Sequence, residues 1–395
     1  MKKLLLLGYG NSLKSLHTLI KDKYEVYIYD DNVEDEKYYN LAKIKEKMPF
    51  FDIVVRSPGI NSNNEIYSLI RLLTKEIISE IEFCFRLLKN KKVTYILVSG
   101  TNGKTTICLM IYEVLKRYYE NVFLAGNIGL PFSRIVNEIN DNSIVILELS
   151  SYQIEDTYSP VGDYVVISNI RPNHLDGVIN YEYYKASKKR IALLKKKDGL
   201  LIVDKSLEDT FKEFNPLIAI KEDNVDQYQK LNIHFIYLIS FLFSISKEEV
   251  NQIIENMQLP HYRNEKENTS FLATFINDSK STSVAASNTC LSLYKDKKRI
   301  IILGGISKSE SFTSLNILET DKVYIYGKDK NKIKEELKVG QCFDNLEQII
   351  NEIKKYINED IYILFTPGCS SFDQYENYIK RGEHFSKLIR GLQNE

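Results

Sequence analysis

The sequence predicts an α/β protein made of three consecutive units in which strands and helices alternate. Short, apolar, β-branched runs recur along the 395 residues, and most lead into a glycine-containing or polar turn and then a helix-period segment. This order of elements is that of doubly wound parallel sheets. Polar stretches interrupt the pattern twice and set the predicted domains at 1–90, 91–260 and 261–395.

Composition and charge limit the classes to which the protein can belong. Hydrophobic residues make up 44% and charged residues 27%, as in ordinary globular proteins, and 53 basic residues balance 53 acidic ones. Without net charge, we expect no recruitment to nucleic acid or to an anionic membrane. The five cysteines include no CxxC pair, which argues against a zinc site or a disulfide framework and indicates a reducing cytoplasm. Residues 1–10 are predicted to begin the first strand rather than a signal peptide, and no run is long enough to span a membrane.

The elements are predicted from periodicity, unit by unit. In the first unit, we expect strands at 3–7, 25–29 and 52–55 and helices at 11–21, 63–73 and 79–88, which is a Rossmann-like arrangement. In the second unit, we expect strands at 93–98, 122–124, 144–147, 164–167 and 200–203 and helices near 104–117, 181–195 and 228–243. In the third unit, we expect strands at 271–276, 299–303, 323–326 and 361–365, helices between them, and a last helix from about 374.

The stretch 100–106, with the sequence GTNGKTT, is the strongest functional motif. It joins a predicted strand to a predicted helix, and the dipole and N–H groups of a helix N-terminus attract phosphate. Gly100 and Gly103 allow the backbone to approach phosphate oxygens. Lys104 can reach a terminal phosphate, and the Thr105 hydroxyl can ligate Mg²⁺. The first glycine of the full P-loop pattern is absent, and such a turn can also be a simple tight connection, but the Lys and Thr that follow predict nucleotide binding.

Polar side chains at the ends of other strands are further candidates. Glu148 directly follows a predicted strand, where it can be a second Mg²⁺ ligand or a helix-capping acid. His174 lies in a polar loop after the next strand, where it can be a ligand or a structural histidine, and Lys188 by itself is interpreted as a solvated lysine. In the first unit, Asp30 ends the second strand beyond the glycine turn at 8–10, where it can meet a ribose hydroxyl or cap a helix.

Three strand ends of the third unit carry Lys, Ser or Thr side chains. These segments are 278–282, which is predicted to open a helix, 304–308 and 366–373. Each can be an ordinary capping turn, but together they suggest a crevice that binds carboxylates. Cys369 lies in the last segment, and no His partner is evident near it, so we do not interpret it as a nucleophile.

Taken together, these segments resemble the Mur ligase family over nearly the whole chain. The matching strings occur in order and are SPGI at 57–60, GTNGKTT at 100–106, GNIGLP at 126–131, ELSSYQIE at 148–155, NDSKST at 277–282, LGG at 303–305 and SSFDQYENYIKRG at 370–382. Sibling enzymes that add other amino acids carry a different sequence where NDSKST stands, so the resemblance implies the branch that adds D-glutamate. The chain departs from the family pattern at Tyr262, which stands where His precedes the arginine, and at Ser283, which stands where Asn is usual.

The resemblance implies an activity. ATP phosphorylates the terminal carboxylate of a UDP-linked muropeptide, and the amine of D-glutamate then displaces phosphate to form an amide bond. The implied enzyme is a cytoplasmic, ADP-forming ligase of peptidoglycan synthesis, and so of cell wall biogenesis, cell shape and cell division, that uses ATP and two Mg²⁺ ions. Catalysis of this kind is mostly charge neutralisation and positioning. The expected partners are small-molecule substrates, with no nucleic acid and no membrane, and the expected state is a monomer.

The resemblance also implies roles for individual residues. The implied catalytic residues are Lys104, Glu148, His174 and Lys188, and Lys188 matches a lysine that CO₂ converts into a carbamate, an anion that can support Mg²⁺. The implied metal ligands are Thr105 and Glu148 for one ion and His174, supported by Lys188, for the other. The implied ATP-binding residues are Gly100, Thr101, Asn102, Gly103, Lys104, Thr105, Thr106, Arg263, Asp278 and Lys280. The implied UDP-muropeptide-binding residues are Gly8, Gly10, Asn11, Ser12, Asp30, Ser57, Asn127 and His174. The implied D-glutamate-binding residues are Thr282, Lys308, Ser371 and Tyr378.

Two other functions stay open at the level of the sequence. A ligase of the same fold with another acceptor, such as a folate polyglutamate-type enzyme, is disfavoured by the N-terminal UDP-type unit. A non-catalytic nucleotide-binding module is disfavoured by the intact set of candidate catalytic residues, because a binding module need not keep a second metal site.

Overall fold

The computed structural model describes residues 2–30, 38–60, 64–170, 181–220, 233–255, 257, 262–307 and 311–393. The chain divides into two compact units, one formed by 1–170 and 185–257 and the other by 171–184 and 258–395. The first unit contains two parallel sheets, and the second contains one largely parallel sheet. The predicted α/β class is confirmed, whereas the three-domain division at the predicted boundaries stays a prediction. None of the described helices is both long and apolar enough to cross a membrane.

The first sheet has five parallel strands in the order β3-β2-β1-β4-β5. Its elements are β1 (Lys3–Leu7), α1 (Asn11–Ile20), β2 (Glu25–Tyr29), β3 (Tyr38–Tyr39), α2 (Leu41–Lys47), β4 (Ile53–Arg56), α3 (Glu65–Leu72), β5 (Ile77–Ser79) and α4 (Glu80–Leu87). In the central strand, Leu4 and Leu6 pack into the core on one face, and Leu5 and Leu7 pack into the core on the other. Both faces are covered, which explains why the strand is apolar at consecutive positions.

The second sheet has six parallel strands in the order β11-β10-β9-β6-β8-β7. The elements of this stretch of chain are β6 (Thr94–Ser99), α5 (Lys104–Leu115), β7 (Val122–Gly126), α6 (Phe132–Ile135), β8 (Ile144–Glu148), α7 (Ser151–Glu155), β9 (Gly162–Ile167), α8 (Tyr181–Lys189), β10 (Lys195–Asp204), α9 (Glu208–Phe211), β11 (Leu217–Ala219), α10 (Ile233–Leu242) and α11 (Lys247–Glu255). The strand order reverses at β6, which lies between β8 and β9. The loops that follow these three strands therefore meet at one edge, where ligands of open α/β sheets bind.

The third sheet has the order β12-β13-β17-β14-β15-β16, and its first strand is antiparallel to its neighbour. Its elements are β12 (Glu265–Lys266), β13 (Thr274–Asn277), α12 (Val284–Leu293), β14 (Arg299–Gly304), β15 (Lys322–Tyr326), α13 (Lys330–Leu337), β16 (Gln341–Cys342), α14 (Leu346–Ile353), β17 (Tyr362–Phe365) and α15 (Tyr378–Leu392). Its central strands also feed two cores, since Ile300 and Ile302 pack on one face and Ile301 and Leu303 on the other. The strands β13, β17 and β14 are adjacent, so their following loops share one edge.

Helix starts in the second unit lie later than the sequence predicts. The helix expected to open at 278 begins at Val284, because the Ser283 side chain accepts the N–H of Ala286 and caps it. The helix expected from about 374 begins at Tyr378, where the Asn377 side chain forms the cap. In both places the residues before the cap lie outside the helix, so the candidate side chains there are carried by loops.

Buried charges connect the first sheet to the second within the first unit. Arg56, at the end of β4, is 2% exposed, and its guanidinium donates to Glu155 Oε2 at 2.8 Å and also pairs with Asp156. Glu82, in α4, is equally buried and accepts the N–H of Tyr158 at 2.9 Å. Breaking one partner of a buried pair leaves an uncompensated charge in a low dielectric, so these contacts fix the two sheets to each other.

Candidate active site

The loop between β6 and α5 has a backbone that favours glycine at two positions. Gly100 has a φ of +147° and Gly103 a φ of +83°. A Cβ atom on Gly100 would also lie 2.0 Å from Ser168 Oγ, so a side chain has no space there. The helix begins at Lys104. The loop therefore ends at a helix N-terminus, the arrangement that binds phosphate in other α/β proteins.

The loop is braced by residues for which the sequence analysis gave no role. Asn169, just beyond β9, accepts the N–H of Thr101 through its carbonyl at 2.8 Å and the N–H of Asn102 through Oδ1 at 3.0 Å. Ser168 Oγ donates to the Asn102 carbonyl at 2.6 Å. Two loop N–H groups thus bind the protein itself, although the sequence predicts that the loop amides face phosphate. In the sequence, the only indication of this bracing role is the position of Asn169 at the end of a strand that neighbours β6.

The cationic side chain of the loop lies over its own backbone. Lys104 Nζ donates to the carbonyls of Gly100 and Thr101, each at 2.9 Å. Thr105 follows it in the first helical turn and is half-buried, whereas Thr106 is buried. A lysine and a threonine therefore begin the helix that follows the loop, and these residues carry the ammonium and hydroxyl groups that a phosphate and its Mg²⁺ require.

Glu148 is a buried carboxylate, and one of its two oxygens accepts a hydrogen bond. It is the last residue of β8 and is 2% exposed, and Oε1 accepts from Asn127 Nδ2 at 2.9 Å. Oε2 is also buried, and it has no hydrogen-bond donor among the described residues. An unsatisfied buried carboxylate oxygen is costly unless a cation or a donor meets it, so this residue fits a Mg²⁺ ligand. It is not a helix cap, because Ser150 caps α7 with a complete capping box.

The loop after β7 places Asn127 against Glu148. The Asn127 N–H donates to the Glu148 carbonyl at 2.8 Å, which adds to the side-chain contact between the two residues. Gly126 has a φ of +102°, and a Cβ atom there would lie 2.4 Å from the same carbonyl. The close backbone approach explains the glycine at the start of the GNIGLP string, and the Asn127 side chain holds the Glu148 carboxylate.

Lys188 is not a solvated lysine, and the interpretation from its position alone is wrong. It is 2% exposed in α8. Burial lowers the pKa of its amine well below the ordinary value, the positive charge of Lys104 lowers this pKa further, and the negative charge of Glu148 partly opposes the shift. The three charged groups therefore lie close enough to act on one another. A buried amine of lowered pKa has a larger neutral, nucleophilic fraction at neutral pH.

His174 lies outside the described residues, as do Lys308 and the rest of 171–180. In the described part of the chain, no three His, Cys, Asp or Glu side chains cluster as a metal cage. Mg²⁺ commonly takes one or two protein carboxylates and completes its octahedron with water and substrate phosphates. The donors Thr105 and Glu148 fit that mode of binding.

The candidate UDP-muropeptide residues of the first sheet lie at the carboxyl ends of its strands. They are Gly8, Gly10, Asn11 and Ser12 after β1, Asp30 after β2 and Ser57 after β4. A Cβ atom on Gly8 would lie 2.9 Å from Ser57 Cβ, so the loops after β1 and β4 touch. The Asp30 N–H donates to the Tyr39 carbonyl at 3.1 Å, which ties the end of β2 to β3. Nucleotide binding at this edge stays a prediction.

The second unit brings together the three polar strand ends that the sequence singled out. The N–H of Ile306 donates to the Ser370 carbonyl and the N–H of Ser370 donates to the Ile306 carbonyl, both at 2.9 Å, so the loops after β14 and β17 are joined. Lys280, after β13, places its ammonium 4.2 Å from the centre of the Tyr378 ring. Ser371 is buried, and Thr282 and Arg263 are half-buried. Carboxylate binding at this edge stays a prediction.

Asp278 is buried at the end of β13 and is held by protein donors. Its Oδ1 accepts the N–H of Asn264 at 3.0 Å, and its Oδ2 accepts from the hydroxyls of Ser281 and, at 3.3 Å, of Thr366. Burial raises the pKa of this carboxyl to about 6, although the three hydrogen bonds and the charge of Arg263 oppose the rise. Between pH 4 and pH 6 the folded protein therefore binds more protons here than the unfolded chain does.

Asp278→Asn should change the dependence of stability on pH. Because the folded-state pKa is raised, the free energy of unfolding of the wild-type protein falls as pH rises through about 6, and the variant lacks this contribution. We subtract the free energy of unfolding of the variant from that of the wild-type protein. We expect this difference to be larger at pH 5 than at pH 8 by roughly 1–3 kcal/mol. Urea titrations at both pH values measure the difference. The same pH dependence in both proteins would contradict the assignment.

Known proteins resemble this chain in sequence over nearly its whole length. Residues 98–275 match the model of the Mur ligase middle domain. The chain is 31% identical to the UDP-N-acetylmuramoylalanine–D-glutamate ligase of Aquifex aeolicus, with 98% of each chain covered. It is 30% identical to the ligase of the same name from Francisella tularensis, with 100% of this chain and 97% of that protein covered. The chain belongs to the Mur ligase family.

Within this family, these full-length relatives carry the name UDP-N-acetylmuramoylalanine–D-glutamate ligase, the branch that the string at 277–282 predicts. The resemblance inferred from the motifs is confirmed at both levels. The MurF ligase of Thermotoga maritima, solved with ADP, superposes with a TM-score of 0.63 at 15% identity over 88% of this chain and 96% of that one. A folylpolyglutamate synthase/dihydrofolate synthase of Yersinia pestis superposes with a TM-score of 0.56 at 14% identity over 78% and 92%. At these identities the likeness shows the fold alone.

Proposed function

We propose that the protein is an ADP-forming ligase that adds D-glutamate to UDP-N-acetylmuramoyl-L-alanine during peptidoglycan precursor synthesis in the cytoplasm. The observation that carries the proposal is the buried Glu148, whose Oε2 has no donor among the described residues and which ends β8, the strand beside the one that leads to the Lys104–Thr105 helix N-terminus. The full-length relatives named for this reaction support the choice of substrates.

The reaction has two steps. The terminal carboxylate of the muropeptide attacks the γ-phosphorus of ATP, which releases ADP and leaves an acyl phosphate. The amine of D-glutamate then attacks the acyl carbon, a tetrahedral intermediate forms, and it collapses to an amide with loss of inorganic phosphate and a proton. Lys104 and the N-terminus of α5 hold the phosphates in line for the first step. Neutralising the charge on the transferred phosphoryl group is the main contribution that such a site makes.

Thr105 and Glu148 are the residues that would hold a Mg²⁺ ion. The ion supplies positive charge to the phosphate oxygens when it is bound. Asn127 holds the Glu148 carboxylate in place through the 2.9 Å hydrogen bond to Oε1, which leaves Oε2 for the ion. A second ion is assigned by resemblance to His174, which lies outside the described residues.

Lys188 is proposed to act as a carbamate. The ammonium group first loses a proton to water. The neutral amine then attacks CO₂, a C–N bond forms as one C=O π bond opens, and a second proton leaves to water, so that a cation is replaced by an anion. The side chain is buried near the charges of Glu148 and Lys104, where an ammonium group without this change would be disfavoured. The resulting carboxylate would bring a negative charge near Glu148 and Lys104, where it would support the metal.

We assign each substrate to the residues that follow particular strands. The UDP-muropeptide is assigned to the loops after β1, β2 and β4 of the first sheet, together with Asn127. D-Glutamate is assigned to Thr282, Lys308, Ser371 and Tyr378, and the remainder of ATP to Arg263, Asp278 and Lys280. The protein is proposed to act as a monomer on small molecules, without nucleic acid or membrane partners.

The test is phosphate release from ATP in the presence of UDP-N-acetylmuramoyl-L-alanine and one amino acid at a time. D-Glutamate, L-glutamate, L-lysine, meso-diaminopimelate and D-alanyl-D-alanine are compared, each with a control that omits the muropeptide. Release that needs both the muropeptide and D-glutamate is the expected result. Release with a different amino acid would change the substrate while keeping the chemistry, and no release with any of them would contradict the ligase proposal.

A further inference from the structure

A single arginine lies beneath the three loops of the second unit that carry the candidate amino-acid ligands. Arg381 is in the first turns of α15 and is fully buried. In the sequence, Arg381 is one of several charged residues in the string at 370–382, and the function proposed above gives it no role. Its guanidinium lies among the carboxyl ends of β13, β14 and β17.

The guanidinium bonds to all three loops. Nε donates to Ser279 Oγ at 3.0 Å, and Nη2 donates to the Ser279 carbonyl at 2.8 Å. Nη1 donates to the Cys369 carbonyl at 3.0 Å and to the Gly304 carbonyl at 3.4 Å. The planar fork of five N–H groups suits this set of divergent acceptors, which a lysine ammonium could not reach together.

Residues beside these hydrogen-bond acceptors connect the Arg381 guanidinium to the candidate ligands of the crevice that the sequence predicts. Ser279 Oγ donates to the Tyr378 carbonyl at 2.8 Å, so two successive hydrogen bonds link the arginine to the backbone of a candidate D-glutamate ligand. Gly305 leaves room for the guanidinium, because a Cβ atom there would lie 3.3 Å from Arg381 Nη1 and 2.2 Å from the Ser370 carbonyl. Ser370 immediately precedes Ser371, another candidate ligand.

Arg381 forms no ion pair among the described residues of the second unit, although its charge and that of Asp373 both act on Tyr326 and Tyr375. Arg299 is equally buried, but its guanidinium pairs with the carboxylate of Asp321. Arg381 has only neutral carbonyl and hydroxyl acceptors among the described residues. Burying an unpaired cation costs free energy, and in a low dielectric its field reaches farther than it would in water. A dicarboxylate bound in the crevice above it would offset this cost.

We infer that Arg381 is the positioning residue for the incoming amino acid. It holds the three loops in register and gives the crevice a positive potential that favours a substrate with two carboxylates. This inference rests on the proposed function, since it names the residue that organises the D-glutamate site. Arg381 acts through Ser279, Tyr378 and the loop backbones and does not itself touch the substrate.

Arg381→Lys and Ser279→Ala test the inference in the assay of phosphate release. Arg381→Lys keeps the charge but loses the fork, and Ser279→Ala removes only the hydroxyl that accepts from Nε and donates to the Tyr378 carbonyl. We expect the KM for D-glutamate to rise about tenfold or more in Arg381→Lys, and less in Ser279→Ala, which is the size expected when one or two hydrogen bonds to a charged group are lost. The KM for UDP-N-acetylmuramoyl-L-alanine should not change. Arg390→Lys, an exposed arginine on the same helix, is the matched control.

The outcomes separate positioning from stability. A purely structural role would lower the active fraction, so kcat would fall in proportion to folded protein and both KM values would stay the same. That result, or an equal rise in both KM values, would overturn the inference. Wild-type protein without turnover of D-glutamate would overturn the proposed function and this inference together, whereas wild-type turnover with an unchanged KM in both variants would overturn this inference alone.

Discussion

Glu148→Gln should abolish ligation and leave the protein folded. The substitution keeps the shape of the side chain and removes the charge that Oε2 offers to a cation. We expect kcat to fall by at least about 10²-fold, because charge neutralisation by the bound ion supplies several kcal/mol to phosphoryl transfer. The melting temperature should stay the same or rise, since the wild-type site holds a buried carboxylate oxygen without a donor. Phosphate release and thermal denaturation measure the two effects.

The control for this variant is Glu138→Gln, which changes an exposed carboxylate of the same unit. Its activity and melting temperature should match those of the wild-type protein. Activity of Glu148→Gln within a few-fold of the wild type at limiting as well as saturating Mg²⁺ would remove Glu148 from the metal site. A large loss that is fully reversed by excess Mg²⁺ would instead locate the defect in metal affinity, which is the role assigned here.

Lys188→Ala should also abolish ligation, and a short carboxylic acid should restore part of the activity. The alanine leaves a buried space where the lysine chain stood, and acetate or propionate can carry an anion into it. We expect a loss on the order of 10²-fold or more, similar to the loss of an electrostatic catalytic group. Recovery should increase with acid concentration and should fail with an alcohol of the same size, because the alcohol brings no charge.

Lys189→Ala is the neighbouring control. Lys189 is half-exposed and forms an ion pair with Glu213, a contact of the kind that contributes little to stability. We expect this variant to keep its activity and to show no response to added acids. Unchanged activity in Lys188→Ala would remove the carbamate from the mechanism. A dead variant without rescue, but with a lowered melting temperature, would indicate a packing role for Lys188.

The strands that the sequence predicts well are those buried on both faces. The segments at 3–7, 299–303 and 361–365 agree with β1, β14 and β17 to within one residue at either end, because burial on both sides forces a continuous apolar run. The edge strands β3, β11, β12 and β16 are only two or three residues long and leave no such run. The helix expected at 181–195 ends at Lys189, since a 3₁₀ turn at 190–194 leads directly into β10.

The sequence predicts those residues of the candidate site that come directly after a strand. Glu148 and the loop at 100–106 come immediately after buried strands, and the strand order brings them to neighbouring positions. The roles of Asn169, which braces the loop, and Arg381 depend on partners far along the chain. Lys188 looked solvated because charged residues surround it in the sequence, whereas its burial follows from packing that periodicity does not report.

The buried contacts between the first two sheets have a consequence for proteolysis. The polar run at 89–92 is the natural place for a protease to cut, since it lies after α4 and is mostly exposed. Arg56 would still be paired with Asp156, and Glu82 would still accept from Tyr158, after such a cut. The nicked protein should therefore migrate as a single species and come apart only on denaturation. The N-terminal sheet produced alone would expose these charges and should be less stable than the same sheet in the intact chain.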